Sequence, residues 1–202
     1  MIGSTSWIIP GTYYENCRIL EKYVDFAELL LYTWDKDTKN LIKKEIPYLK
    51  KLNLKYTVHL PTDNIENVIK LLEFFDEEDI EILNFVLHPL DGWKKVKNHK
   101  NISLENLKDR LEYNETMTFD IGHHITGKKF DIKYKNYINE FHIMGTDGIK
   151  DHLNLNDYTL NQFKPFYIPE KLYCFEIFEL NEMLQSCEKW KKFVSEVLHE
   201  NI

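Results

Sequence analysis

An alternation along the chain constrains its fold more than any other feature. Eight short apolar or β-branched runs are separated by stretches of helical periodicity or of loop character. The runs are Ile2 to Ile9, Phe26 to Tyr32, Leu54 to Leu60, Ile82 to Leu87, Ile102 to Leu104, Met117 to Ile121, Ile138 to Met144 and Leu172 to Phe178. Most are continuous rather than strictly alternating, which suits strands buried on both faces of a parallel sheet. Between them, Tyr14 to Tyr23 places Cys17 and Leu20 at helical steps, and Leu41 to Leu52 does so with Leu41, Ile42, Ile46 and Leu49. Asp63-Asn64 is a cap for a helix over Ile65 to Phe75. Asn156-Asp157 opens a short helix to Phe163, and Leu180 to Leu198 is a long amphipathic stretch. The connectors after Leu87 and after Ile121 read as mostly loop.

Strands alternating with helices predict an α/β chain, a (β/α)8 TIM barrel. An open doubly wound sheet is the alternative. With 202 residues, the chain sits at the lower end of the barrel's range of roughly 200 to more than 400 residues. The barrel must therefore be compact, with some helices short or missing. Nothing in the spread of 7 Gly and 6 Pro splits the chain, so one domain over 1–202 is expected.

Composition narrows the function classes. Hydrophobic residues make up 43% and aromatics 14%, which excludes a disordered chain. A net charge of −7 lacks the basic footprint of a general nucleic-acid binder. Three Cys without close pairing (Cys17, Cys174, Cys187) point to a reducing compartment rather than a disulfide scaffold. No run approaches the ~18 apolar residues of a membrane span. Residues Met1 to Trp7 show no signal-peptide pattern. A cytoplasmic protein with no membrane partner and a small-molecule substrate is the expectation.

Six of the eight His lie at the end of a strand candidate or just after one: His59, His88, His123, His124, His142 and His152. His59 and His88 are each the first polar residue after an apolar run. One such His is readily explained by a hydrogen bond to a backbone carbonyl; two in matching places weigh as much for a site. Glu105 alone fits an acid at a helix N-terminus. Glu176, between Phe175 and Ile177, is costly unless it is salt-bridged or bound to metal. Asp120-Ile121-Gly122-His123 sets an acid and an imidazole three residues apart. His124 points elsewhere if the backbone stays extended, so His123 is read as the site residue and His124 as a supporting or exposed one. His142 lies inside an apolar run. Asp151-His152 follow the turn Thr146-Asp147-Gly148, and a solvated turn explains them equally well.

The C-terminal strand ends of a barrel converge on one face. His59, His88, Glu105, Asp120, His123, His142, Asp151, His152 and Glu176 would therefore meet there. His, Asp and Glu together suit Zn2+, Mn2+ or Fe2+ better than Ca2+. Inward carboxylates without a cation are electrostatically expensive. One to three divalent ions, Zn2+ or Mn2+ foremost, are expected. Trp7, Tyr32 and Trp93 offer flat surfaces to a substrate.

In this order of motifs the chain resembles the xylose isomerase-like barrels of the AP endonuclease 2 superfamily, over nearly its whole length. Within that superfamily it is most similar to the cobamide-remodelling phosphodiesterases. Gly3-Ser4-Thr5-Ser6-Trp7, Val24-Asp25 leading to Glu28-Leu29-Leu30-Leu31, and Tyr56-Thr57-Val58-His59-Leu60-Pro61 carry that likeness. So do Asp120-Ile121-Gly122-His123, Lys150-Asp151-His152-Leu153 and Glu176-Ile177-Phe178. The resemblance implies one metal on His59, His88 and Glu105. It implies a second on Glu105, Asp120, His142 and Glu176, with Glu105 bridging, and a third on His123, Asp151 and His152. The chain departs from the endonucleases in one place: their last acid and His are separated by one residue, whereas Asp151 and His152 adjoin.

Two enzymatic readings follow. In the first, metal ions assist hydrolysis of a phosphodiester, which the resemblance places in the nucleotide loop of a cobamide. In the second, one ion on Glu105, Asp120, His142 and Glu176 serves an isomerase or epimerase of a sugar or sugar phosphate. There Glu105 and Glu176 act as catalytic groups that exchange protons on opposite faces of a carbon. A barrel that binds a small ligand without turning it over is the non-enzymatic alternative.

Overall fold

The structure, a computed structural model, describes residues 1–200. Eight strands form: β1 (Ile2–Thr5), β2 (Phe26–Leu30), β3 (Lys55–His59), β4 (Ile82–Leu87), β5 (Ile102–Glu105), β6 (Met117–Asp120), β7 (Ile138–Ile143) and β8 (Leu172–Phe175). All pair in parallel with their sequence neighbours, and β8 returns to β1 with Ile2 opposite Tyr173. That last pairing closes the barrel and rules out the open sheet.

Six helices cover parts of it: α1 (Tyr13–Leu20), α2 (Lys36–Leu49), α3 (Ile65–Glu77), α4 (Ile121–Thr126), α5 (Asp157–Phe163) and α6 (Leu180–Glu200). The connection after β4 holds only a 3-10 turn at Trp93–Lys95, and no helix links β5 to β6. This is how a short chain completes the barrel. Two helices differ from the sequence reading. Helix α2 begins at Lys36 rather than Leu41, because the Asp35 side chain caps it by accepting from Thr38 N at 2.8 Å. Its first turn is polar, so apolar periodicity misses it. The stretch after Ile121 is helical, not loop: Asp120 caps α4 by accepting from His123 N. No described helix is long and apolar enough to cross a membrane.

The main core lies between sheet and helices. Helix α6 lays Met183, Cys187, Trp190, Phe193 and Val197 against the barrel. Trp190 meets Tyr173 at 4.8 Å between ring centroids, and Phe119 stacks on Phe166 at 4.5 Å. Each fully buried large side chain contributes roughly 1.5–3 kcal/mol, so the apolar core is substantial without any ligand.

The barrel interior is different. Its lower end is closed by a small apolar cluster of Phe26, Leu172 and Cys174. Above this, Thr57 Oγ1 of β3 donates to Glu140 Oε1 of β7 at 3.3 Å. Asn84 Nδ2 of β4 donates to Glu140 Oε2 at 2.7 Å. These bonds join strands that are not neighbours, so they cross the interior. TIM barrels usually fill this layer with branched apolar residues; here it is polar, and it lies directly beneath the candidate site.

Candidate metal centre

Strand ends place the candidate ligands. Glu105 closes β5, Asp120 closes β6, His59 closes β3, and His142 lies one residue from the end of β7. His88 and Glu176 each follow their strand by one residue. All but His88 are buried, and His142 and Asp120 are fully so.

Glu105 is the hub. Its Oε2 lies 3.4 Å from His59 Nε2 and 2.9 Å from His88 Nε2. Its Oε1 lies 3.2 Å from His142 Nδ1. His142 Nδ1 is also 3.4 Å from Glu176 Oε2 and 4.0 Å from Asp120 Oδ2. Two sets thus gather ligand atoms within 4.8 Å of one another: His59, His88 and Glu105, and Glu105, Asp120, His142 and Glu176. Glu105 turns one oxygen to each.

Two observations fit a cation. Glu105 Oε2 and Asp120 Oδ2 are buried with no hydrogen-bond partner, although the His59 and His88 rings stand 3.4 and 2.9 Å from Oε2. A buried carboxylate oxygen left in this state is costly. The donor set itself, nitrogen and oxygen with no thiolate, is that of zinc or manganese.

The charges are mutually dependent. Burial opposes a charged His142, but Glu176, Glu28 and Glu105 around it raise its pKa well above the ordinary imidazole value. Burial likewise opposes the Glu176 carboxylate, yet the adjacent His142 brings it down to about 2. Burial lifts Asp120 to about 7; His123 opposes the shift, and Glu176 and Glu105 add to it.

Backbone carbonyls aim several rings. A carbonyl only accepts, so the ring nitrogen facing it carries hydrogen. His59 Nδ1 donates to Leu60 O at 3.1 Å, which leaves Nε2 for Glu105. His123 Nδ1 donates to Asn106 O at 2.9 Å, and His152 Nδ1 to Glu176 O at 3.1 Å. Asn106 further clasps β6, accepting from Asp120 N and donating to Asp120 O.

The third set is not gathered. Asp151 pairs with Lys108 Nζ at 2.6 Å. The nearest contact between Asp151 and His152 side chains is 3.9 Å, and His123 instead faces Asp120 and Glu105 at 3.7 Å. His152 has φ +56°, the left-handed region that few side chains adopt, and this twist turns its ring towards Glu176. Gly122 lets α4 pack closely against that segment: a Cβ there would meet Met144 Sδ at 2.7 Å and Asp151 Cβ at 2.8 Å. His124 is neither exposed nor near the ligands. Because α4 forms, its ring is buried against Phe119 and Phe166, and its Nδ1 accepts from Phe130 N.

The aromatics part company. Tyr32 sets its ring edge-on to His59 at 4.6 Å. It also lines a groove of about 460 Å3 with Trp7, Tyr13, Leu30 and Leu41. Trp7 is 55% exposed and tilts against Phe178, which in turn meets His152. Trp93 presents no open face: it is buried, and its indole donates to Glu112.

Glu28, Glu140, Asn106 and Lys108 belong to the site's surroundings without a site role legible in the sequence. Glu28 and Glu140 carried the same signal that singled out Glu176, an acid inside an apolar strand. Both are fully buried, and with Cys174 they bring ligand-type atoms within 4.8 Å of one another. Burial, with Glu28 adding to it, raises Glu140 to about 8, and its two oxygens accept from Thr57 and Asn84.

No protein-family model matches the sequence, and no curated protein matches it. Solved structures do. A D-tagatose 3-epimerase-like protein shares 17% identity at a TM-score of 0.66, over 100% of this chain and 99% of that one. The IOLI protein, solved with a binding zinc atom, shares 13% at a TM-score of 0.64, with the same coverage. At these identities the likeness shows the fold alone, a closed (β/α)8 TIM barrel, and does not single out the cobamide-remodelling group.

Proposed function

We propose that this chain is a metal-dependent phosphodiesterase for a small-molecule substrate, with the nucleotide loop of a cobamide as the specific target. The observation that carries the hydrolytic reading is the first set. His59 and His88 converge on Glu105 Oε2, beside a four-residue set reached through Glu105 Oε1. A second cation position adjoining the first suits in-line displacement at phosphorus. His59, His88 and Glu105 would hold one ion, and Glu105, Asp120, His142 and Glu176 another. When bound, such ions polarise phosphoryl oxygens, acidify water and offset charge on the leaving oxygen. The chain's own residues do the rest. Glu105 holds the two positions in register, the carbonyls of Leu60 and Asn106 aim two of the rings, and Tyr32 and Trp7 offer apolar surface beside His59. We read His123, Asp151 and His152 as rim groups that contact substrate or a weaker third ion. The cobamide assignment rests on the sequence motifs.

A second reading is isomerisation or epimerisation of a sugar or sugar phosphate. It is favoured by the described natures of the similar structures, one epimerase-like and one with a zinc atom. There Glu105, Asp120, His142 and Glu176 would hold a single ion, and Glu105 and Glu176 would move protons.

Metal content and turnover decide between them. Two or more tightly held ions per chain, with cleavage of a cobamide or of bis(4-nitrophenyl) phosphate, support hydrolysis. One ion, with interconversion of ketoses and no phosphodiester cleavage, overturns it in favour of the second reading.

A further inference from the structure

His142 differs from the other oriented histidines in what holds its far nitrogen. His59, His123 and His152 each face a backbone carbonyl. His142 Nε2 faces a carboxylate, Glu28 Oε2, at 3.2 Å across the barrel. Both residues are fully buried. Nδ1 faces a carboxylate at the same distance, Glu105 Oε1, so the choice of nitrogen goes with the ion: when the four-residue set holds one, Nδ1 is the ligand atom and Nε2, facing Glu28, carries the hydrogen. With hydrogen fixed on Nε2, the lone pair of a neutral ring is on Nδ1. Nδ1 is the atom that faces Glu105, Glu176 and Asp120.

From this geometry we infer that Glu28 is a positioning residue: it fixes the tautomer and rotation of His142 so that Nδ1 enters the metal set. A carboxylate behind a metal-bound imidazole orients the ring and raises its basicity, and removing such a partner typically costs roughly 10–100-fold in metal affinity. Glu28 sits on β2, opposite Thr5 of β1 and Thr57 of β3 in register. Its backbone is thus fixed from both sides. Its own Oε1 has no hydrogen-bond partner, so the contact to His142 is the one polar bond given to its side chain among the described residues. The polar layer below supports it: Glu140, held by Thr57 and Asn84, fills the neighbouring space without bonding to His142.

This inference rests on reading His142 as a metal ligand, which both functional readings share. Wild-type protein stripped of metal and titrated with Zn2+ by calorimetry tests that premise first; absence of binding removes the premise rather than the role of Glu28. Given binding, Glu28→Gln should weaken Zn2+ affinity about tenfold and Glu28→Ala up to about a hundredfold. Glu140→Gln, an isosteric change in the same layer at a side chain bonded to Thr57 and Asn84 rather than to His142, should leave affinity within about threefold of wild type. A general loosening of the interior would weaken all three alike. The second readout is nitrogen-15 resonance of the His142 ring in the zinc-loaded wild type, which should show hydrogen on Nε2 and none on Nδ1. In Glu28→Gln the Nε2 hydrogen signal should shift and exchange faster. Wild-type affinity in Glu28→Gln, or hydrogen on Nδ1 in the loaded wild type, overturns the inference. The second result needs no variant, so a Glu28→Ala chain that fails to fold leaves the test intact.

Discussion

Two parts of the barrel mouth use the same residue types and arrive at different degrees of order. One part is held by strands: His59, His88, Glu105, Asp120, His142 and Glu176 converge with their ligand atoms already grouped. The other part is held by the segments that follow β6 and β7: His123, Asp151 and His152 stay dispersed, and the Asp151 charge is matched by Lys108. All of these side chains but that of His88 are buried, so their rotamers are set by the barrel before any ligand arrives. Of the loop-held side chains, His152 is the one most open to solvent, 31% exposed against 0% for His142. Preorganisation, rather than residue type, separates a built site from a collection of suitable side chains.

The hardest test of the strand-held part is its hub. Glu105→Gln keeps shape and removes the charge shared by both sets. Turnover should fall by more than about a hundredfold, beyond the 10–100-fold typical of an outer-shell partner, and tightly held metal should drop with it. A chelator should likewise abolish activity while circular dichroism and the melting transition stay cooperative, because the apolar core lies elsewhere. Near-wild-type turnover in the variant would remove the bridging role. Cooperative unfolding on chelation would make the metals structural.

The next contrast sets the two parts against each other. His142→Ala should lose both metal and turnover, since it deletes a fixed ligand from the four-residue set. His152→Ala should cost about tenfold or less, because water can replace a loop ligand. Metal content and turnover measured side by side decide it. Equal losses would mean that the loop residues complete a full third metal position, and the difference between the two parts would vanish.

How far the sequence reveals the site follows the same division. The apolar runs locate all eight strands, since a buried parallel strand needs an uninterrupted apolar stretch. The ends of those runs bring forward His59, His88, Asp120 and Glu176. Glu28 carries as strong a signal but no legible role, because one acid inside an apolar strand does not say whether it faces the mouth or the interior. Helix α4 leaves no periodic signal, because its start depends on the Asp120 cap rather than on apolar periodicity. With that helix in place, His124 turns into the core while its neighbour His123 reaches the rim. The contact between Lys108 and Asp151 had no local signature at all: it joins two loops 43 positions apart (151 − 108).

His124 offers a smaller test, of how firmly the segment carrying His123 is anchored. Burial, with Lys129 adding to it, lowers its pKa to about 4, against about 6.5 for an unperturbed imidazole. The folded protein therefore holds the ring neutral over a range in which the unfolded chain takes up a proton. Stability should fall as pH drops from about 6.5 towards 4, by something on the order of 1–3 kcal/mol from this group. Denaturant unfolding of wild type and His124→Phe across that range gives the difference. If the variant loses as much stability on acidification as wild type, His124 does not contribute to the slope, and α4 is anchored by its apolar contacts alone.

The smallest expected effect concerns Lys108. Its side chain is 43% exposed and that of Asp151 10%, so the ion pair is partly solvated and worth roughly 0.2–1 kcal/mol. Lys108→Met should therefore barely move the melting temperature. Its informative consequence is at the rim. Lys108 supplies beside Asp151 the positive charge that a third cation would bring, and so it competes for that carboxylate. Removing the ammonium should expose Asp151 to solvent cations and add a weak step to the Zn2+ isotherm, one that Lys108→Met/Asp151→Asn lacks. The strong steps that depend on Glu105 should keep their wild-type affinity. An unchanged isotherm in Lys108→Met would mean that the left-handed turn at His152, rather than Lys108, keeps the loop residues apart. Three tight steps already present in wild type would mean that Lys108 yields to metal, and the loop-held part would then be as much a binding site as the strand-held one.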